Sequence, residues 1–72
     1  MHTTVNGKPR ETETAGTSAM ALLAFLAAHD VNPKLVAIAI NGDVIAKSTF
    51  ADAVVREGDA IEIVRMVGGG AL

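Results

Sequence analysis

Few residues in this chain could do chemistry by themselves. Its two histidines, His2 and His29, stand 27 residues apart, and neither has a second ligand at the i, i+4 spacing that puts two metal-binding side chains on one helix face. Ser18, His29 and Asp30 are the residue types of a nucleophilic triad. Ser18, however, opens the helix predicted below and the other two close it, about 15 Å away, beyond any hydrogen bond. Asp43, Glu57 and Asp59 fall in turn sequences, where carboxylates serve the local backbone. The chain has no cysteine, which excludes a disulfide framework, a Cys-ligated zinc, an iron–sulfur cluster and a catalytic thiol. No catalytic residue and no metal site is expected. What remains is a run of glycines, Gly68, Gly69 and Gly70, placed so near the end of the chain that no helix follows to make a phosphate loop. Such a run costs conformational entropy to order and has no side chains to pack, so residues 68–72 are predicted to form a flexible tail. Two readings of it stand: a frayed terminus, or a segment without Cβ atoms that threads a narrow channel of a partner enzyme and presents a carbonyl group for reaction.

The tail must be held by something, and the punctuation of the chain says what. Asn6-Gly7 and Asn41-Gly42 are each flanked by alternating or β-branched residues, and Asn-Gly supplies the positive φ values of a two-residue hairpin turn. The first hairpin is predicted to pair His2–Val5 with residues 8–14, with Pro9 on an edge strand, where a missing N–H costs least. The second pairs Val36–Ile40 with residues 43–46. Between them a helix is predicted from a Ser18 N-cap through Ala28, with Ala19, Leu22, Leu23 and Leu26 toward the sheet, Ala21, Ala24 and Ala28 opposite, and Phe25 and Met20 on the flanks. His29 follows the helix, where an imidazole interacts favourably with the C-terminal dipole. Residues 47–55 read as a connector with a helical turn around Phe50-Ala51-Asp52. Glu57-Gly58-Asp59 is a turn and residues 60–67 a half-buried last strand. The order is β-β-α-β-β-β, an α+β domain over residues 1–67 with a mixed sheet of about five strands on one main helix.

Composition agrees with one small domain. Half of the 72 residues are apolar, but 13 of these are alanine, leaving enough larger side chains for one sheet on one helix; a chain this short buries only about 60% of its unfolded surface. A formal net charge of −2 gives no footprint for nucleic acid or an anionic membrane surface. The longest apolar run, Ala19 to Ala28, is half of what a bilayer span needs. The first residues lack a basic stretch followed by an apolar one, so the cytoplasm is the expected compartment. The exposed face of the last strand, with Val64, Arg65 and Met66, and the lone aromatic Phe50 are candidate partner contacts; each has an alternative reading as core or solvated strand, since period alone does not assign the face.

Several pieces of the sequence together resemble a known family. They are Val5-Asn6-Gly7-Lys8, Gly16-Thr17-Ser18 with Leu22-Leu23, the run Val36 to Ile45 through Asn41-Gly42-Asp43, Lys47-Ser48-Thr49-Phe50, and Glu57 to Ile63 leading to Val67-Gly68-Gly69-Gly70. In this order and spacing they resemble the ThiS family, ubiquitin-like β-grasp sulfur carriers of thiamine biosynthesis, over essentially the whole chain. The resemblance implies that an E1-like, ThiF-like adenylyltransferase uses ATP and magnesium to adenylate the carboxylate of Gly70. Sulfur derived from a cysteine desulfurase then displaces AMP to leave a thiocarboxylate, and a ThiG-like thiazole synthase takes the sulfur. The carrier itself is expected to bind no cofactor and to be no enzyme. Family members usually end at Gly-Gly, whereas Ala71-Leu72 follow here. A peptidase cleaving between Gly70 and Ala71 is therefore expected, unless the two residues mark a divergent or foreign ending. Related carriers, for molybdopterin, sulfur amino acids or siderophores, share the fold and tail. A non-covalent β-grasp interaction module is the alternative of another class.

Overall fold

In the computed structural model, residues 1–66 are described. Gly68, Gly69, Gly70, Ala71 and Leu72 lie outside the described residues, as does the expected domain boundary after residue 67. The strands are β1 (His2–Val5), β2 (Lys8–Glu11), β3 (Ala19–Ala21), β4 (Val36–Ile40), β5 (Asp43–Ile45), β6 (Val54–Arg56) and β7 (Ala60–Arg65). Among the described residues one α-helix, α1 (Leu22–Ala28), follows β3, and two 3-10 segments cover Pro33–Leu35 and Lys47–Asp52. Five strands form a mixed sheet in the order β2-β1-β7-β4-β5; a second, two-stranded sheet joins β3 to β6. Within the large sheet β1 and β7 run parallel and the other neighbours antiparallel.

Both Asn-Gly pairs make the hairpin turns expected of them. Asn6 and Gly7 have φ of 52° and 81°, Asn41 and Gly42 52° and 87°, the doubly positive geometry whose twist matches that of the flanking strands. Pro9 pairs with Thr4 on the edge strand β2, which is shorter than the sequence suggested.

The start of the helix is where the sequence reading needs correction. Ser18 is not the N-cap: Ala21 holds that position without a side-chain hydrogen bond, and α1 begins only at Leu22. The competing interaction is tertiary. Ala19, Met20 and Ala21 are extended against Arg56, Val55 and Val54 of β6, the Ser18 carbonyl accepts from the Glu57 N–H, and the Leu22 N–H donates to the Ala53 carbonyl. A ladder of β-bonds thus takes the residues that local propensity assigns to a first helical turn. The shift also changes the buried face. Leu22, Phe25 and Leu26 are fully buried, while Leu23, predicted inward, is 39% exposed, and Phe25, predicted on the flank, is core.

At the other end the helix closes on a left-handed Asp30, φ 59°. The Val31 N–H donates to the Leu26 carbonyl and the Asp30 N–H to that of Ala27, the pair of bonds of a Schellman ending. His29 is the C-cap, its Nε2 2.8 Å from the Thr12 hydroxyl. Against α1 pack Val36 and Ile38 of β4, Ile61 of β7, Val55 of β6 and Phe50 of the second 3-10 segment; burying each such side chain stabilises by about 1.5–3 kcal/mol.

Candidate functional site

The functional reading rests on the last strand and what holds it. β7 is the central strand of the sheet, between β1 and β4, and the two hairpin turns flank it. Each turn asparagine spends its side chain on β7. The Asn6 amide donates to the Ile63 carbonyl at 3.1 Å and accepts from the Ile63 N–H at 2.7 Å, continuing the parallel pairing after β1 has ended. On the other side Asn41 accepts from the Ala60 N–H at 2.9 Å and donates to the Asp59 carboxylate at 2.9 Å. The second Asp59 oxygen accepts from the Arg56 N–H at 2.8 Å, closing the turn where Gly58 has φ 86°. Past these pins, the Met66 N–H donates to the Leu35 carbonyl at 2.8 Å, and the chain continues into Val67 and the glycines.

The β4–β7 register sorts the candidate surface residues. Val36 faces Arg65, Ile38 faces Ile63 and Ile40 faces Ile61 on the helix side, while Ala37 faces Val64 and Ala39 faces Glu62 on the open side. Val44 of β5 extends the open row opposite Ala39. Val44 is 80% exposed, Val64 60% and Met66 41%; with Ala37 and Ala39 they leave an apolar strip on the open face, bordered by Glu62, that runs toward Met66, the last described residue. Arg65 is not part of it. It lies on the helix side, lining a groove of about 320 Å³ with Asp30, Val31, Asn32, Leu35, Val36 and Ile63. Phe50 leaves the surface set altogether: it is 5% exposed and belongs to the core, because its 3-10 segment packs under the sheet beside α1. Val44 was missed in the sequence, although the alternation of alanine with large β-branched residues along Val36-Ala37-Ile38-Ala39-Ile40 marks the open face of β4 and, through the hairpin, that of Val44.

The remaining ionisable groups among the described residues do not converge. Among the described residues no three His, Asp or Glu side chains are grouped so as to hold a metal ion. Glu11 is held below its ordinary value by the hydrogen bond from the His2 ring and then by the amino terminus. It pairs with His2 at the start of β1, the end of the sheet opposite Met66. No helix among the described residues is long and apolar enough to cross a membrane. The described residues thus show a pinned central strand with exposed apolar side chains near its end, and the glycine run follows in the sequence.

Comparison with known proteins agrees with this geometry. Residues 3–70 match the model of the ThiS family. The crystal structure of a thiamine biosynthesis protein (ThiS) from Geobacter metallireducens superposes with a TM-score of 0.79 at 34% identity, covering 97% of this chain and all of that one. A solution structure of a thiamine biosynthesis protein from the same organism gives 0.75 at 34% identity over the whole of this chain and 91% of the other. Two curated relatives are described as thiazole synthase. That of Paramagnetospirillum magneticum is 33% identical over 70 residues, 97% of this chain and 20% of the relative; that of Magnetococcus marinus is 38% identical over 66 residues, 92% of this chain and 19% of the relative. The chain thus spans about a fifth of the length of the curated relatives it matches.

Proposed function

The chain belongs to the ThiS family, and from that premise we propose that it is a sulfur carrier for thiazole formation in thiamine biosynthesis, with Gly70 as the residue that carries the sulfur. One observation carries the reading: the family match runs through all three glycines and stops at Gly70, leaving Ala71 and Leu72 outside it.

A carboxylate is a poor acyl donor and an acyl-adenylate a good one. An E1-like, ThiF-like enzyme, with its own ATP and magnesium, joins the Gly70 carboxylate to AMP and releases pyrophosphate. The outer sulfur of a persulfide, loaded by a cysteine desulfurase, attacks the acyl carbon and AMP leaves. Cleavage of the remaining sulfur–sulfur bond by a thiol yields the thiocarboxylate, from which a ThiG-like thiazole synthase takes sulfur. In this reading the carrier contributes no acid, base or metal to these steps. Its part is to present Gly68, Gly69 and Gly70 to channels that side chains would block, and to dock through the strip of Val44, Val64 and Met66. The similarity to two proteins described as thiazole synthase favours thiazole over the molybdopterin, sulfur amino acid and siderophore alternatives.

Chemistry at Gly70 requires its carboxylate to be free, which cleavage of the Gly70–Ala71 bond by a peptidase would provide. The test compares the 72-residue chain with one ending at Gly70 as substrates of the E1-like enzyme, following ATP–pyrophosphate exchange. Exchange is expected only with the shortened chain. Equal exchange with intact Leu72 in place would remove Gly70 from the mechanism.

A further inference from the structure

Lys47 makes contacts that its own segment does not explain. It opens the 3-10 segment Lys47–Asp52, the end at which a positive charge is electrostatically unfavourable. Its Nζ is instead directed at another segment, 3.1 Å from the Pro33 carbonyl and 3.1 Å from that of Lys34. These are carbonyls of a single 3-10 turn, Pro33–Leu35, too short to satisfy its own C-terminal acceptors. At the front of that turn Asn32 accepts from the Lys34 N–H at 2.9 Å, so the turn is held at both ends. The next carbonyl along, that of Leu35, receives the Met66 N–H. The ammonium is itself 5.8 Å from the ring centre of Phe50, which is fixed in the core. A continuous path therefore runs from the core through Phe50, Lys47 and the 33–35 turn to Met66.

We propose that Lys47 is a positioning residue for the C-terminal tail, fixing through the Leu35–Met66 bond the point and direction from which the chain leaves the fold. It touches no reacting atom. Its kinetic consequence rests on the sulfur-carrier reading: an activating enzyme must find the docking face and the tail in a set relation, and loosening the root of the tail weakens binding of the carrier without changing the chemistry at Gly70.

The test uses Lys47→Met, which keeps the stem over Phe50 and removes the charge and donors, with Lys47→Arg restoring both. Amide hydrogen exchange read by NMR on the full chain is expected to be about tenfold faster at Met66 in Lys47→Met, with the Ile38 and Ile61 amides unchanged, and to return toward the original rate in Lys47→Arg. In chains ending at Gly70, Lys47→Met is expected to raise the KM of the E1-like enzyme several-fold at constant kcat. Unchanged Met66 exchange overturns the proposal, as does faster exchange with an unchanged KM. Should the unsubstituted chain ending at Gly70 not be activated at all, the sulfur-carrier reading fails, and the exchange rates alone decide whether Lys47 holds Met66.

Discussion

Thr3 carries a buried hydroxyl with no hydrogen-bond partner among the described residues, in a side chain only 1% exposed on the helix side of β1. A buried donor and acceptor left unpaired costs free energy that an apolar group of the same shape avoids. Thr3→Val is accordingly expected to raise stability by about 1 kcal/mol, read as a higher denaturant midpoint at unchanged slope; a fall would mean that the hydroxyl is satisfied. Residue-scale reading of the sequence did well where a residue's own backbone preference decides, as at Asn6, Asn41 and Gly58, all in left-handed conformations. It did less well at Phe50, whose burial depends on which segments pack around it and not on its neighbours in the chain.

At the scale of elements, the two hairpin turns are as much clamps on β7 as reversals of direction. Glycine in place of Asn6 or Asn41 keeps the turn but removes two side-chain bonds to the region of the central strand. Asn6→Gly and Asn41→Gly are each expected to cost about 1–3 kcal/mol, measured by chemical denaturation; a cost near zero would show that water replaces the side chain equally well. The elements also show where legibility ended. Both hairpins, the 3-10 turn at Phe50 and the last strand were readable because turn chemistry and alternation are local signals. The β3–β6 pair was not, because Ala19-Met20-Ala21 has no strand pattern of its own and is extended only by a partner that lies 33 or more residues on. That pairing displaced the helix start from Ser18 to Leu22 and rotated the buried face onto Phe25.

For the molecule as a whole, the proposed division of labour is between a sheet with β7 at its centre and the glycine run that follows it in the sequence. On the proposed reading the exposed apolar side chains near the end of β7 form the docking face, so a charge placed there is expected to weaken association with the activating enzyme and leave the fold intact. Val64→Asp, and separately Val44→Asp, is expected to raise the enzyme's KM about tenfold with little change in kcat or in denaturant midpoint; an unaffected KM would assign docking to another face. The glycine run was legible in the sequence, and that the strand before it is the central one of the sheet came only with the topology. The most direct measurement of the central claim is the mass of the chain ending at Gly70 after incubation with its E1-like enzyme, ATP and a persulfide sulfur source. The account predicts the gain of one oxygen-to-sulfur exchange, located at Gly70. No gain, with the enzyme shown competent on another carrier, would contradict it.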